Sequence, residues 1–169
     1  SPKEILEELD QLSAHGVKEI TLLGQNVNSY SWKEPSETGT EKVLDFPWLM
    51  QTIATHLRET NSSIGWVRFM SSHPKDISSE LIDVIAKERV LCRHIHLPVQ
   101  HGSTKVLAEM NRKYSREDYL SKVDMIRQKL PDVSLTTDIL IGFPGETEED
   151  FEETVSLMET VGYETAYMY

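Results

Sequence analysis

The sequence predicts an α/β fold built on a parallel sheet, and three observations carry that expectation. Short β-rich runs begin near residues 17, 64, 92, 133 and 163. Every gap between them holds a stretch with apolar residues at helical spacing. Each gap also exceeds the roughly a dozen residues that a crossover between parallel neighbours requires.

The elements follow in order. Ile5, Leu6, Leu9 and Leu12 stripe one face of a helix over Pro2 to Ala14, with Ser1 as cap, Pro2 at the first helical position and Gly16 as stop. Val17 to Leu23 reads as a strand ended by the turn residues Gly24-Gln25-Asn26. Ser31 to Asp45 is polar, contains Pro35, and reads as a surface excursion. The helical stripe resumes over Phe46 to Leu57 through Leu49, Met50 and Ile53. Ile64 to Met70 is the next strand, closed by Ser71-Ser72-His73-Pro74, and Ser78 to Lys87 the next helix. Cys92 to Leu97 is a strand stopped by Pro98. Two helices follow, Thr104 to Met110 and Arg116 to Leu130, the second capped by Ser115 and ended by Pro131. Val133 to Ile141 is the longest strand, ended by Gly142-Phe143-Pro144-Gly145, where glycine serves the turn. Thr147 opens a helix to Val161 in a capping-box pattern, and the acidic run 146–153 reads as its solvated, dipole-complementing start. Tyr163 to Tyr169 begins a last strand, and residues 1–169 are expected to form a single domain.

Composition narrows the function. The 169 residues are 38% hydrophobic and 27% charged, a folded composition that excludes disorder and low complexity. The net charge of −11 disfavours a surface whose main task is gripping a phosphate backbone. Cys92 is the only cysteine, which excludes an internal disulfide framework and any self-contained multi-thiolate zinc or iron–sulfur site. No apolar run is long enough to span a bilayer, so no membrane partner and a cytoplasmic location are expected.

Parallel α/β folds place their sites at the carboxyl ends of the strands. There the sequence sets Ser71, Ser72 and His73, then His94, His96 and Gln100, then Thr136, Asp138 and a loop ending at Glu146. Alternation puts Cys92, His94 and His96 on one strand face, and Ser134, Thr136, Asp138 and Leu140 on one face of the 133–141 strand. A sheet face of this polarity suggests a lined cavity. The two imidazoles could be satisfied interior groups, or could join Asp138 around zinc or iron in a metal-dependent hydrolase. Cys92 reads as a small core residue.

The runs TLLGQNVNSY (21–30), RFMSSHP (68–74), CRHIHLPVQHGSTKVLAEMNRKYSREDYL (92–120) and TTDILIGFPGETEEDFEET (136–154) resemble the methylthiotransferases of the radical S-adenosylmethionine class. GQNVNSY and SSHP resemble the branch that adds a methylthio group to C2 of N6-isopentenyladenosine at position 37 of tRNA. The resemblance implies a parallel-sheet partial (β/α) barrel of about five strands, lacking its first strand and cluster loop. It also implies a parent enzyme with two 4Fe–4S clusters held by six cysteines outside these residues. This chain alone is therefore expected to hold no cluster and to be inactive, a non-catalytic fragment of its parent. The tRNA would be gripped mainly by a separate carboxy-terminal domain. The free edge of the strand at 17–23 is expected to favour self-association.

The same resemblance assigns a set of cofactor-binding residues. Gly24, Gln25 and Asn26 would receive the methionine amino group of S-adenosylmethionine, and Arg112 would pair with its carboxylate. Gln100 and Asp138 would hold the ribose hydroxyls. The Gly142 to Glu146 loop would lie against adenine, with Tyr169 approaching the same face. His96 joins this set, as does Ser71, which stands where related barrels often carry a glutamate and so cannot neutralise an ammonium.

Overall fold

All five strands expected to run parallel form, in two separately hydrogen-bonded groups. The computed structural model describes residues 1–34, 41–70 and 73–169. It divides into two compact units, Ser1–Ser71 with Glu80–Cys92, and Ser72–Ser79 with Arg93–Tyr169.

In the first unit, α1 (Pro2–Ala14) is closed by the predicted cap, with Ser1 Oγ and the Glu4 carboxylate 2.9 Å apart in a reciprocal capping box. Strand β1 (Glu19–Leu22) ends where Gly24 turns the chain. The segment read as a surface excursion is not one throughout. Ser31–Glu34 (β2) and Lys42–Asp45 (β3) pair antiparallel, Trp32 opposite Leu44, and Leu44 is buried. Residues 35–40, with Pro35, lie outside the described residues. The sparse polar composition hid a strand pair that buries one leucine.

Asp45 then caps α2 (Phe46–Glu59), its Oδ1 accepting from Trp48 N at 2.9 Å. The α2 stripe delivers Met50 and Ile53 to zero exposure. Phe46 meets Phe69 of β4 (Trp66–Phe69) edge-on at 5.4 Å. β4 pairs in parallel with β1, Ile20 beside Val67, and Leu91 adds an isolated bridge to Val67. Helix α3 (Ser79–Lys87) supplies Leu81, Ile82 and Ile85 to the core. Glu88 just beyond it is buried but satisfied by Gln51 Nε2 at 2.7 Å and Arg58 Nη1 at 2.8 Å. The Gln51 hydrogen bond, more than the Arg58 charge, holds its carboxyl below the usual range against the opposing effect of burial.

The second unit carries a three-stranded parallel sheet in the order β5 (His94–His96), β6 (Ser134–Ile139), β7 (Thr165–Met168). Its inner face presents Ile95, Leu135, Thr137 and Ile139, all essentially inaccessible. Helices α4 (Thr104–Glu109), α5 (Arg116–Lys129) and α6 (Glu148–Val161) bury Leu107, Val123, Ile126 and Leu157. Thr147 closes the expected capping box with Asp150, and the expected cap Ser115 closes one too, with Asp118. Tyr119 OH donates to Leu97 O at 2.8 Å and accepts from Tyr163 OH at 2.9 Å. Burial pushes both phenols up, Tyr163 to about 12.

The acidic run 146–153 departs from the solvated face expected of it. Glu148, Glu149, Glu152 and Glu153 are exposed, but Glu146 and Asp150 are withdrawn from solvent. Asp150 accepts from Ser103 Oγ at 2.7 Å and Lys105 Nζ at 2.8 Å besides its own cap. Next to Ser103, Gly102 lies so close to α6 that a Cβ there would stand 2.3 Å from Thr154 Cα. Gly102 N donates to Thr154 Oγ1 at 2.9 Å, which ties the loop after β5 to α6 through its backbone.

Candidate cofactor-binding site

The outer face of the second unit's sheet is polar, and alternation brings its side chains together. Register sets His96 beside Thr136 and Asp138 beside Tyr167. Thr136 Oγ1 lies 3.0 Å from His96 Nδ1 and 3.4 Å from His94 Nε2. On its other side, His96 Nε2 stands 3.4 Å from Asp138 Oδ2, and the His96 and Tyr167 rings meet at a steep angle with centroids 6.2 Å apart. The His96 side chain is 10% exposed and that of Asp138 26%, so the aspartate is the member of the pair that opens to solvent. Its Oδ1 has no hydrogen-bond partner among the described residues.

Gln100 is held against the same strand by its backbone. Its N donates to Asp138 O at 2.9 Å, and its O accepts from Leu140 N at 2.8 Å. Its φ of +73° is left-handed, a conformation that costs a non-glycine residue about 1–2 kcal/mol. The two strand-like hydrogen bonds fix that backbone at the level of Asp138.

The loop from Gly142 to Glu146 is built around the glutamate. Gly142 and Gly145 take φ of +80° and +85°, as a tight turn requires. Glu146 Oε2 accepts from Gly142 N at 2.7 Å and Phe143 N at 2.9 Å, and Oε1 stands 3.3 Å from His101 Nε2. Burial works against the charge on Glu146, yet Phe143 N–H, His101 and Gly142 N–H together hold its carboxyl below the usual range. The described contacts therefore give Glu146 the work of holding the loop. Tyr169, three-quarters exposed, continues the pairing beyond β7, with Tyr169 N donating to Ile139 O and Ile141 N to Tyr169 O, both at 2.9 Å.

Arg112 follows α4, its N bonded to Leu107 O at 2.8 Å. Its half-buried guanidinium has no hydrogen bond or ion pair among the described residues, and acts electrostatically on His73 and Tyr114. Gly24, Gln25 and Asn26 belong to the first unit. Gly24 and Asn26 line a cavity of about 530 Å³ there with Leu22, Val27, Tyr30 and Phe46, while Gln25 is exposed. Ser71 lies outside the described residues. The second unit thus brings His96, Gln100 and Asp138 together on one sheet.

The metal-hydrolase expectation is overturned. Both imidazoles engage Thr136, and among the described residues no three His, Cys, Asp or Glu side chains converge as a metal site. An iron–sulfur cluster does not fit the residues present either. Cys92 is the only cysteine, and burial pushes its thiol up, away from the thiolate that iron requires. Asp138 and Gln100, side by side on the sheet, are of chemical types that suit the hydroxyls of S-adenosylmethionine.

Residues 1–158 match the radical SAM superfamily. The chain belongs to the radical S-adenosylmethionine superfamily. The α/β fold read from the sequence is the fold of its solved members. The radical S-adenosylmethionine methyltransferase TsrM from Kitasatospora setae is 17% identical, with a TM-score of 0.73 over 99% of this chain and 31% of its own. The cobalamin-dependent S-adenosylmethionine radical enzyme OxsB, 12% identical, aligns over 94% of this chain and 22% of its own with a TM-score of 0.67. Among curated relatives, the tRNA-2-methylthio-N(6)-dimethylallyladenosine synthase of Treponema denticola is 51% identical over 166 residues, 98% of this chain. That of Clostridium perfringens strain 13 is 51% identical over 169 residues, 99% of this chain. The radical S-adenosylmethionine chain spans about a third of the length of these relatives, 36% and 35% respectively. Among the described residues, no helix is long and apolar enough to cross a membrane.

Sequence reasoning left some neighbours of this polar sheet face without a role. Tyr167 packs on His96, and its period-two spacing from Tyr163 and Tyr169 is the signal that marks its face. His101, which holds Glu146, is wholly buried and carries no such signal, because it follows the strand in an irregular segment.

Proposed function

We propose that this chain is the core of a single-domain α/β module, residues 1–169, in a cytoplasmic tRNA methylthiotransferase that modifies C2 of N6-isopentenyladenosine at position 37. The observation that carries this reading is identity at half of all positions, over 98% of the chain, to the Treponema denticola synthase. When bound, S-adenosylmethionine and the clusters of the parent enzyme supply the radical and methyl-transfer chemistry. The residues of this chain bind and orient. Asp138 Oδ1 and the Gln100 amide hold the ribose hydroxyls, and His96 steadies Asp138 from the sheet side. Arg112 pairs with the methionine carboxylate, and the 142–146 loop with Tyr169 borders the adenine. With a single cysteine, the chain by itself is inactive, and most tRNA affinity resides in a carboxy-terminal part of the parent.

The test uses the full-length parent with reconstituted clusters, acting on tRNA from a strain lacking the enzyme. The expected product is the methylthio nucleoside by mass spectrometry, and its absence overturns the reading. Asp138→Asn is expected to raise KM for S-adenosylmethionine about 10- to 100-fold, as loss of a charge-assisted hydrogen bond of about 1.5–3 kcal/mol implies. An unchanged KM removes Asp138 from the site.

Self-association of the chain is proposed to run through the free edge of β1, whose only strand partner among the described residues is β4. Light scattering is expected to show mass rising with concentration, and a monomer at millimolar concentration refutes it.

A further inference from the structure

Six of the 17 lysines and arginines pair with a carboxylate among the described residues. Arg58 pairs with Glu88, Arg68 with Glu19, Arg93 with Asp132 and Lys105 with Asp150. A groove of the second unit gathers three that do not. Lys75, Lys113 and Lys122 line one cavity of about 510 Å³ together with Tyr114 and Asp118. Among the described residues none of the three ammonium groups meets a carboxylate. Lys113 Nζ donates to Asn111 Oδ1 and Lys122 Nζ to Ile77 O, both at 2.7 Å, so their polar contacts cancel no charge. Asp118, the acid of this wall, has its Oδ2 on Ser115 N at 2.9 Å in the α5 cap. The Arg112 guanidinium adds a further positive field beside Tyr114.

The field is felt by His73 at the rim. Burial first, and then the Lys75 and Arg112 charges, depress its pKa, against the opposing pull of Asp76. Tyr114 is fixed where it stands, its OH donating to Val99 O at 3.0 Å and its ring meeting His73 edge-on at 5.7 Å.

We propose that this groove is a contact surface for the phosphodiester backbone of RNA, with Lys75 and Lys113 as its phosphate-binding groups and Tyr114 as an aromatic wall for a base. Unneutralised lysines beside a half-buried aromatic ring combine the positive charge and aromatic surface that single-stranded nucleic acid uses. Against a net charge of −11, a groove holding three lysines without carboxylate partners is a place where a phosphate strand would be drawn. The choice of RNA over an acidic peptide rests on the tRNA reading above.

The experiment measures anisotropy of a labelled short RNA hairpin with the intact chain, between ~50 and ~150 mM salt. Wild type is expected to bind at the lower salt and to weaken steeply toward the higher. The exposed double substitution Lys75→Gln/Lys113→Gln is expected to weaken binding about tenfold and to reduce the salt slope by about 1.4, two phosphates at about 0.7 each. Lys75→Arg/Lys113→Arg should restore both. Equal melting temperatures for the three proteins show that the fold is intact. No binding at low salt, an unchanged slope in the double variant, or equal binding of a polyglutamate peptide each overturns the proposal. A parent enzyme that fails to modify tRNA while the lysine effect persists refutes the function reading and leaves the groove standing. Normal modification with an unmoved KM for tRNA in the double variant does the reverse.

Discussion

Gly102→Ala is expected to destabilise the chain by about 3 kcal/mol or more, toward the upper end of what overpacking a core costs. Its new Cβ would stand 2.3 Å from Thr154 Cα, 2.5 Å from Glu153 O and 2.6 Å from Thr154 N. All three are backbone atoms of α6, so no side chain can swing aside to make room. The loop after β5 must then move off α6, which also breaks the Gly102 N to Thr154 Oγ1 hydrogen bond. Gly142→Ala is the matched comparison. Nothing stands within 4 Å of its Cβ position, and only the φ of +80° resists, a cost of about 1 kcal/mol. Urea unfolding of the two variants should rank them in that order, and equal midpoints would show that α6 yields.

Asp150→Ala carries the second large effect. The substitution leaves Lys105 Nζ, Ser103 Oγ and Thr147 N without their acceptor, at the point where α4 and α6 begin. It is expected to lower the melting temperature by several degrees, while Glu152→Ala, an exposed loss of the same charge, leaves it nearly unchanged. The Lys105 ammonium first, then the Ser103 hydroxyl and Thr147 N–H, hold the Asp150 carboxyl far below the usual range. A carboxyl depressed in the folded state contributes stability that is complete above its unfolded pKa of about 3.9. That contribution fades as pH falls through the lower, folded value. Below about pH 4 the wild type should therefore lose stability faster than Asp150→Ala, and the two melting curves should converge. A difference that stays constant between pH 7 and pH 3 would rule out this linkage.

The sequence disclosed the regular parts of this molecule because regular parts repeat. The leucine stripe of α1 and the capping boxes at Ser115 and Thr147 are local patterns, and each appears where its spacing puts it. The alternation along β5 and β6 likewise sorts His94 with His96 and Thr136 with Asp138, and the register sets the two pairs on one face. What stayed hidden depends on residues far apart in the chain. Glu146 and Asp150 look like members of a solvated acidic run until His101, Ser103 and Lys105, some forty residues earlier, are seen to cover them. Lys75, Lys113 and Lys122 are isolated in sequence and meet only in the folded unit. The β2–β3 pair was obscured because its alternation is brief and buries only Leu44.

The hydroxyl of Thr136, seated between two imidazoles, has one further consequence. A threonine oxygen owns a single hydrogen, so it can give to only one of the two rings and must take from the other. If it gives to His96 Nδ1, that ring keeps its remaining hydrogen on Nε2, the nitrogen directed at Asp138. His94 then supplies the hydrogen that Thr136 receives. The row His94, Thr136, His96 acquires a direction, both of its hydrogen bonds pointing toward the side of the strand where Asp138 stands. That sense of travel leaves the outward oxygen of Asp138 to act as an acceptor.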